Sequence, residues 1–469
     1  MLFQNVSMGF SVDIRHMNTA KLDMDVWKYA INQMMELENG SIMNPTENRQ
    51  VGHYWLRNPA LAPAEFRREI EDSWTQMETV YAKIQSETTV SYTNLLMVGI
   101  GGSALGPQLL VDALSSHGMS VYFLDNTDPA GMDRVLQNIN LAETIVVVLS
   151  KSGSTKETRN AMLETQAYFQ RAGLSFAKQA IAVTVTGSAL YKQAVAENWL
   201  GTLPLWDWVG GRTSITGMVG LFPLVCMKKD WKAFLRGASD MDQWTRTLDE
   251  SNPALQIANA WYQSGNGRGD KAMVILPYKD SLGLLGRYLQ QLIMESIGKK
   301  HDQDGREVFQ GLTVYGNKGS TDQHAFVQQL RDGRNDFFAT LVAVLQDREI
   351  EMSSVEVEKN ISSGDYLLGF LLGTRKALVE AERSVMTLVL DRMNEYSLGA
   401  VLALYERVVG YYAFQVNINA YDQPGVEAGK KAATEMLTLR QKILLGEDVS
   451  GYDPADLWLW TEHMRVNRV

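Results

Sequence analysis

The sequence is poor in cysteine, in net positive charge and in long hydrophobic runs. Cys226 is the only cysteine among 469 residues, so a disulfide within the chain is excluded and a reducing compartment is expected. Lys and Arg number 44 against 54 Asp and Glu, a formal net charge of −10. This balance argues against a nucleic-acid binder and against a polybasic membrane anchor. No apolar run approaches the roughly 18 residues of a membrane-spanning helix.

Residues 1–18 lack the basic start and apolar core of a signal peptide. We therefore expect a cytoplasmic protein. The six histidines lack metal-ligand spacing, and no nucleotide-binding P-loop, zinc-protease or serine-hydrolase motif is present. Neither a metal nor an organic cofactor is expected. The histidines are His16, His53, His117, His301, His324 and His463.

The hydrophobic pattern predicts an α/β fold. Short apolar segments alternate with amphipathic helical patterns, once before and once after a polar stretch near residue 250, which favours parallel sheets covered on both faces. About 150 residues per domain is usual, so two or three domains are expected. We predict two doubly wound parallel-sheet domains in tandem with N- and C-terminal helical extensions. The predicted divisions are an N-terminal helical arm (1–65), a first α/β domain (66–250), a second α/β domain (251–420) and a C-terminal helix (421–469).

A glycine-rich loop follows the first predicted strand of the first domain. Its sequence, GIGGSALGP from Gly99 to Pro107, opens a helix, and free N–H groups at a helix start attract anions. Gly99, Gly101 and Ala104 also fit the dinucleotide pattern, with Asp125 where a ribose-binding acid would lie. This loop alone leaves open a phosphate site, a dinucleotide-dependent oxidoreductase and a plain tight turn.

A second loop favours phosphate. Ser150–Thr155, SKSGST, places four hydroxyls and a glycine after the third strand and before a helix. Hydroxyl and backbone donors suit the terminal oxygens of a phosphate monoester. One hydroxyl would be enough to cap the helix, so four favour a ligand. Because carboxyl strand ends meet at one edge of a sheet, Ser103 is expected to join them.

Together the two loops resemble the sugar-isomerase (SIS) domain, a phosphosugar-binding α/β unit. Two such units in tandem are similar to the phosphoglucose isomerase family. Four later segments appear in that family's order: VGGRTS (209–214), MESIGK (294–299), GSTDQHAF (319–326) and DQPGVEAGK (422–430).

The resemblance implies cofactor-independent interconversion of glucose 6-phosphate and fructose 6-phosphate through ring opening and an enediolate. It also implies a homodimer with shared active sites. A phosphosugar-sensing protein on the same fold, and an isomerase that also accepts mannose 6-phosphate, remain alternatives. A sensor needs only the phosphate loops, whereas this chain also carries the family's catalytic residue types.

By resemblance, Glu295 is the general base and Arg212 stabilises the enediolate. His324, contributed by the partner subunit, and Lys430 open the sugar ring. Spacing alone would equally allow Glu295 to pair with Lys299 on the surface. His301 is a weaker candidate, and Ile297 stands where many relatives carry Asn. The substrate-binding residues implied are Gly102, Ser103, Ser150, Lys151, Ser152, Ser154, Thr155, Glu157 and Gln423.

Overall fold

The chain divides into two compact units, Met1–Tyr421 and Asp422–Val469. The structure is a computed structural model that describes residues 1–20, 23–348 and 355–467. Within these ranges no helix combines the length and the hydropathy needed to span a bilayer. The domain boundaries predicted at residues 65, 250 and 420 stay predictions.

The N-terminal segment begins as a β-hairpin. Strand β1 (Leu2–Asn5) pairs antiparallel with β2 (Phe10–His16). The prediction of an entirely helical arm is wrong here, because Phe10, Val12 and Ile14 are buried at alternate positions, which is the period of a strand. Two helices follow: α1 (Met24–Glu38) and α2 (Ala64–Ser86).

The first sheet has five parallel strands in the order β4-β3-β5-β6-β7. After β3 the chain adds a strand on one side and then returns to the other, so the sheet has a switch point between β3 and β5. Ligands of open α/β sheets bind at the carboxyl strand ends there. The elements are β3 (Asn94–Val98), α3 (Leu105–Ala113), β4 (Ser120–Leu124), α4 (Pro129–Leu136), β5 (Thr144–Leu149), α5 (Lys156–Arg171), α6 (Phe176–Gln179), β6 (Ala180–Val185), α7 (Ala189–Ala196) and β7 (Gly201–Leu205).

Strand β7 was not predicted. It lies at the edge of the sheet and contains Pro204. Proline lacks an N–H donor and weakens a strand pattern, but an edge position tolerates it. Three helices then lead to the second sheet: α8 (Met218–Cys226), α9 (Trp231–Trp244) and α10 (Pro253–Ser264).

The second sheet is mixed, with the order β1-β2-β15-β12-β8-β11. Four strands are parallel, but β2 joins β15 antiparallel, so the expectation of a purely parallel sheet fails at the N-terminal hairpin. The elements of this part of the chain are β8 (Ala272–Tyr278), α11 (Leu285–Leu289), a π-helix (Gln290–Glu295), β9 (Lys299–His301), β10 (Glu307–Gln310), β11 (Val314–Tyr315), α12 (Val327–Asp332), β12 (Phe337–Val344), β13 (Glu356–Glu358), β14 (Ile361–Ser362), α13 (Ser363–Glu380), β15 (Val385–Leu390) and α14 (Glu395–Gln415). Of these, β9 with β10 and β13 with β14 form two separate antiparallel pairs.

Helix α14 is buried along nearly its whole length, including two charged residues. Arg407 contacts Asp242 at 3.1 Å and also pairs with Glu38. Glu406 pairs with the buried Arg57. Buried charges are tolerated only when paired, so these residues join α14 to α1 and α9.

The C-terminal unit contains two helices, α15 (Pro424–Leu445) and α16 (Pro454–Asn467). Where the sequence predicted one C-terminal helix, the structure has these two. The α/β class, with two sheets of mainly parallel strands, is confirmed.

Candidate active site

The glycine loop after β3 is packed tightly against the segment that carries Arg212. Gly101 has a φ of +59°, in the left-handed region that favours glycine. A Cβ on Gly102 would lie 2.0 Å from the carbonyl oxygen of Gly211. Any side chain at Gly102 would therefore separate the two loops. The glycines from which a ligand-binding loop was predicted also allow this loop to approach the Arg212 segment closely.

The hydroxyl loop after β5 is held in a compact turn by its own side chains. The N–H of Gly153 donates to Ser150 Oγ at 3.0 Å, and the hydroxyls of Ser152 and Ser154 lie 2.7 Å apart. Thr155 is the N-cap of α5, yet its side chain makes no capping hydrogen bond. Capping alone therefore does not explain the hydroxyls.

Lys151, in the same loop, is directed at a neighbouring backbone segment. Its Nζ donates to the carbonyl oxygens of Asp207 at 2.8 Å and Val209 at 3.2 Å. Burial, reinforced by the charge of Arg49, lowers the pKa of Lys151 to about 8.

Arg212 and Glu295 form an ion pair at the centre of the candidate site. Arg212 Nη1 lies 3.1 Å from Glu295 Oε1, and Nε donates to Ser296 Oγ at 2.6 Å. Nη2 donates to the carbonyl oxygen of Ala420. The Arg212 side chain is 4% exposed and that of Glu295 24% exposed. A fixed, buried guanidinium beside a reachable carboxylate combines a permanent cation with a proton acceptor.

Glu295 ends the π-helix (Gln290–Glu295), although the apolar spacing of this segment is that of an α-helix. π-turns within helices are frequent at functional sites. Gln291, in the same π-helix, lies beside the glycine loop, since its Nε2 is 3.2 Å from where a Cβ on Gly101 would be. Gln291 and Ser296 were not predicted. The available signal was that Gln291 precedes Glu295 by four residues, which places both on one helix face.

Other predicted residues lie outside this pair. His324 ends a 3-10 helix (Thr321–His324) and is exposed; within the described ranges its side chain makes no hydrogen bond or ion pair. Glu157 is partly exposed in the first turn of α5. His301 is exposed and lies 3.8 Å from Glu307 on the neighbouring strand.

Lys430 and Gln423 belong to the C-terminal unit. Gln423 is the N-cap residue of α15, and Lys430 follows within the same helix. Their relation to Arg212 and Glu295 therefore stays a prediction. The part of the chain that the structure describes contains no group of three or more His, Cys, Asp or Glu side chains that could hold a metal ion.

Comparisons with known proteins agree with this geometry. The family model described as phosphoglucose isomerase matches residues 28–367 and 335–456. A glucose-6-phosphate isomerase of Trichormus variabilis is 51% identical over 458 residues, covering 94% of this chain and 86% of the relative. One from a Synechococcus strain is 54% identical over 426 residues, covering 88% and 80%.

A solved structure supports the same relation. The crystal structure of a glucose-6-phosphate isomerase from Chlamydia trachomatis superposes with a TM-score of 0.83 at 27% identity, covering 93% of this chain and 89% of that one. The two loops and the Arg212–Glu295 pair agree with these matches. The chain belongs to the phosphoglucose isomerase family.

Proposed function

We propose that this protein is an aldose–ketose isomerase that interconverts glucose 6-phosphate and fructose 6-phosphate without a cofactor. The observation that carries the proposal is the ion pair of Arg212 and Glu295 at 3.1 Å, in a chain whose Gly102 touches the Arg212 segment. Family membership supports the reaction class, and the names of the close relatives support the substrate.

The phosphate group binds at the switch point of the first sheet. The loops after β3 and β5 end adjacent parallel strands, and each leads into a helix whose N-terminal N–H groups attract an anion. The residues proposed to hold the phosphate are Gly102, Ser103, Ser150, Ser152, Ser154 and Thr155.

Glu295 transfers the proton between the two carbons. It removes the proton from C2 of the open-chain aldose, giving a cis-enediolate, and returns a proton to C1 after a hydroxyl proton has moved from O2 to O1. Arg212 stabilises the negative charge that develops on the enediolate oxygens, because its guanidinium is charged in every protonation state of the neighbouring acid.

Ring opening requires an acid and a base at the ring oxygen and the anomeric hydroxyl. We assign these roles to His324 and Lys430, with Gln423 and Glu157 contacting the sugar. His324 serves the active site of the partner subunit in a cytoplasmic homodimer. The exposure of His324 leaves its imidazole available to a second chain.

The first experiment measures isomerisation directly. Purified protein is mixed with fructose 6-phosphate, and glucose 6-phosphate is detected by a coupled dehydrogenase assay. We expect turnover without added metal or cofactor, and its absence would contradict the proposal.

A mixing experiment tests the shared site. We expect Glu295→Gln and His324→Ala chains to be nearly inactive alone and to recover activity when co-expressed, because one site of each mixed dimer contains both native residues. No recovery in a confirmed mixed dimer would place His324 and Glu295 of the same chain in one site.

A further inference from the structure

Lys151 lies within the hydroxyl loop, but its amine reaches away from that loop. Nζ donates to the carbonyl oxygens of Asp207 and Val209, at 2.8 and 3.2 Å, and lies 3.8 Å from the Asp207 carboxylate. Val209 precedes Arg212 by three residues. Lys151 thus connects the hydroxyl loop to the segment that carries Arg212, which is proposed to stabilise the enediolate.

The segment between β7 and Arg212 is also contacted by the glycine loop and by Gly52. Gly102 meets the carbonyl oxygen of Gly211 by close packing. On the other side, the N–H of Gly52 donates to the carbonyl oxygen of Trp208 at 2.9 Å. Gly102 contacts this segment by close packing, whereas the Lys151 amine donates hydrogen bonds to it. Together they fix the distance from the glycine and hydroxyl loops to the Arg212 segment.

We infer that Lys151 is a positioning residue that ties the hydroxyl loop to the Arg212 segment, and not a ligand of the substrate phosphate. The inference rests on the proposed function for the role of Arg212. Family resemblance alone would make Lys151 a substrate-binding residue, and the inference replaces that role. Because a misplaced catalytic group lowers the rate more than it lowers binding, loss of the tie acts on kcat.

Charged groups around the amine make the tie sensitive to pH. Burial disfavours the ammonium form and the guanidinium of Arg49 disfavours it further, while Asp207 and Glu47 partly offset both, so the pKa of Lys151 falls to about 8. Arg49 lies 4.0 Å from the Asp207 carboxylate and 3.1 Å from Glu47. Above pH 8 the amine loses its charge, and its bonds to the two carbonyls weaken.

Two variants separate positioning from phosphate binding. For Lys151→Met we expect kcat for fructose 6-phosphate to fall about tenfold or more, with KM within threefold of wild type. The alkaline fall in kcat of the wild type near pH 8 should be absent from this variant. Lys151→Arg keeps a permanent charge and several donors, so we expect it to recover most of the lost kcat and also to lack the alkaline fall.

A binding measurement keeps the inference testable apart from catalysis. Titration calorimetry with inorganic phosphate, on both variants and the wild type, should give dissociation constants within threefold of each other. A loss of tenfold or more in phosphate affinity with unchanged kcat would overturn the inference. If Lys151→Met does not fold, retention of the alkaline fall by Lys151→Arg would overturn it as well. A wild type that binds phosphate but does not isomerise would contradict the proposed function, while the phosphate affinities would still decide whether Lys151 is a ligand.

Discussion

The two sheets share one strand order but differ at the carboxyl ends of their strands. In the first, β4-β3-β5-β6 correspond in position to β11-β8-β12-β15 of the second, so each has a switch point beside its first strand. At the first switch point the residues directly after β3 and β5 are the small Gly99 and Ser150, and Lys151 reaches away to the segment after β7. At the second, Lys279 follows β8, and its Nζ donates to the carbonyl oxygens of Gln346 and Asp347 at 3.1 and 2.9 Å.

The two switch points therefore differ in the residues at the strand ends and not in strand order. At the second, the Lys279 side chain links the ends of β8 and β12, and Lys318 is paired with Asp280 at 2.9 Å. At the first, glycine and serine directly follow the two strands, and each loop leads into a helix start, whose N–H groups favour an anion. The second sheet contributes to the proposed site through the π-helix after α11, which carries Glu295.

The largest effect on kcat is expected for a change at Glu295, the proposed proton acceptor. Glu295→Gln keeps the shape of the side chain but removes the base, so we expect kcat to fall by about 10³-fold with inorganic phosphate binding unchanged. Glu307→Gln, at an exposed acid on β10, is the matched control and should keep wild-type kcat. Full activity in Glu295→Gln would remove Glu295 from its role.

A smaller loss of kcat is expected for a change at Arg212. Arg212→Lys keeps a positive charge but cannot reach Glu295, Ser296 and the Ala420 carbonyl together. We expect a fall of about 10²-fold in kcat, measured with the coupled assay. Arg306→Lys, at an arginine whose side chain is 75% exposed, serves as control. If Arg212→Lys lost affinity for inorganic phosphate and kept kcat, Arg212 would be a phosphate ligand.

Much of the fold and part of this site could be predicted from the sequence. Strand β5 (Thr144–Leu149) and helix α2 can be predicted from the sequence, because a largely β-branched apolar run and a regular three-and-four apolar spacing are strong local signals. The glycine and hydroxyl loops were found because their residue types are specific to close backbone approach and anion binding.

Other features depend on contacts that are distant in sequence. The antiparallel addition of β2 to β15 joins residues about 375 positions apart, and no local pattern indicates such a partner. The hydrogen bond from Lys151 to Val209 also joins residues that are distant in sequence, 58 positions apart. The π-turn before Glu295 leaves the apolar spacing almost unchanged, so a helical pattern could not reveal it.

A modest effect is expected at the phosphate loop. Ser150→Ala removes the acceptor of the Gly153 N–H, at a cost of about 1 kcal/mol. We expect KM for fructose 6-phosphate to rise about fivefold with kcat nearly unchanged, measured by steady-state kinetics. Ser281→Ala, at the second switch point, is the matched control and should leave KM unchanged. Equal effects of both changes would contradict the contrast between the two switch points.

The smallest effect is expected on stability, at the hairpin that distinguishes the second sheet. Asp13 contacts Arg375 of α13 at 2.7 Å and Arg15 at 2.8 Å. Burial opposes ionisation of Asp13, but these arginines outweigh it and lower its pKa to about 2. Asp13→Asn should lower the free energy of unfolding by about 1 kcal/mol at neutral pH.

The sign of the pH dependence follows from the lowered pKa. The stabilisation from Asp13 is fully present above pH 4 and is lost as the pH falls through about 2. Chemical denaturation at several pH values should therefore show the wild type and Asp13→Asn converging in acid. A constant difference across this range would show that the charge of Asp13 contributes nothing.

The measurement that tests the central claim most directly follows hydrogen at C2 of the sugar. Fructose 6-phosphate is converted by the wild-type protein in D₂O, and the C2 proton of the glucose 6-phosphate formed is observed by NMR. A proton held on Glu295 exchanges with solvent before its return, so transfer through an enediolate predicts deuterium at C2 of the product, and no conversion or exchange by Glu295→Gln beyond about one part in 10³. Only protium at C2, together with full conversion by Glu295→Gln, would indicate a direct hydride shift and would contradict the account.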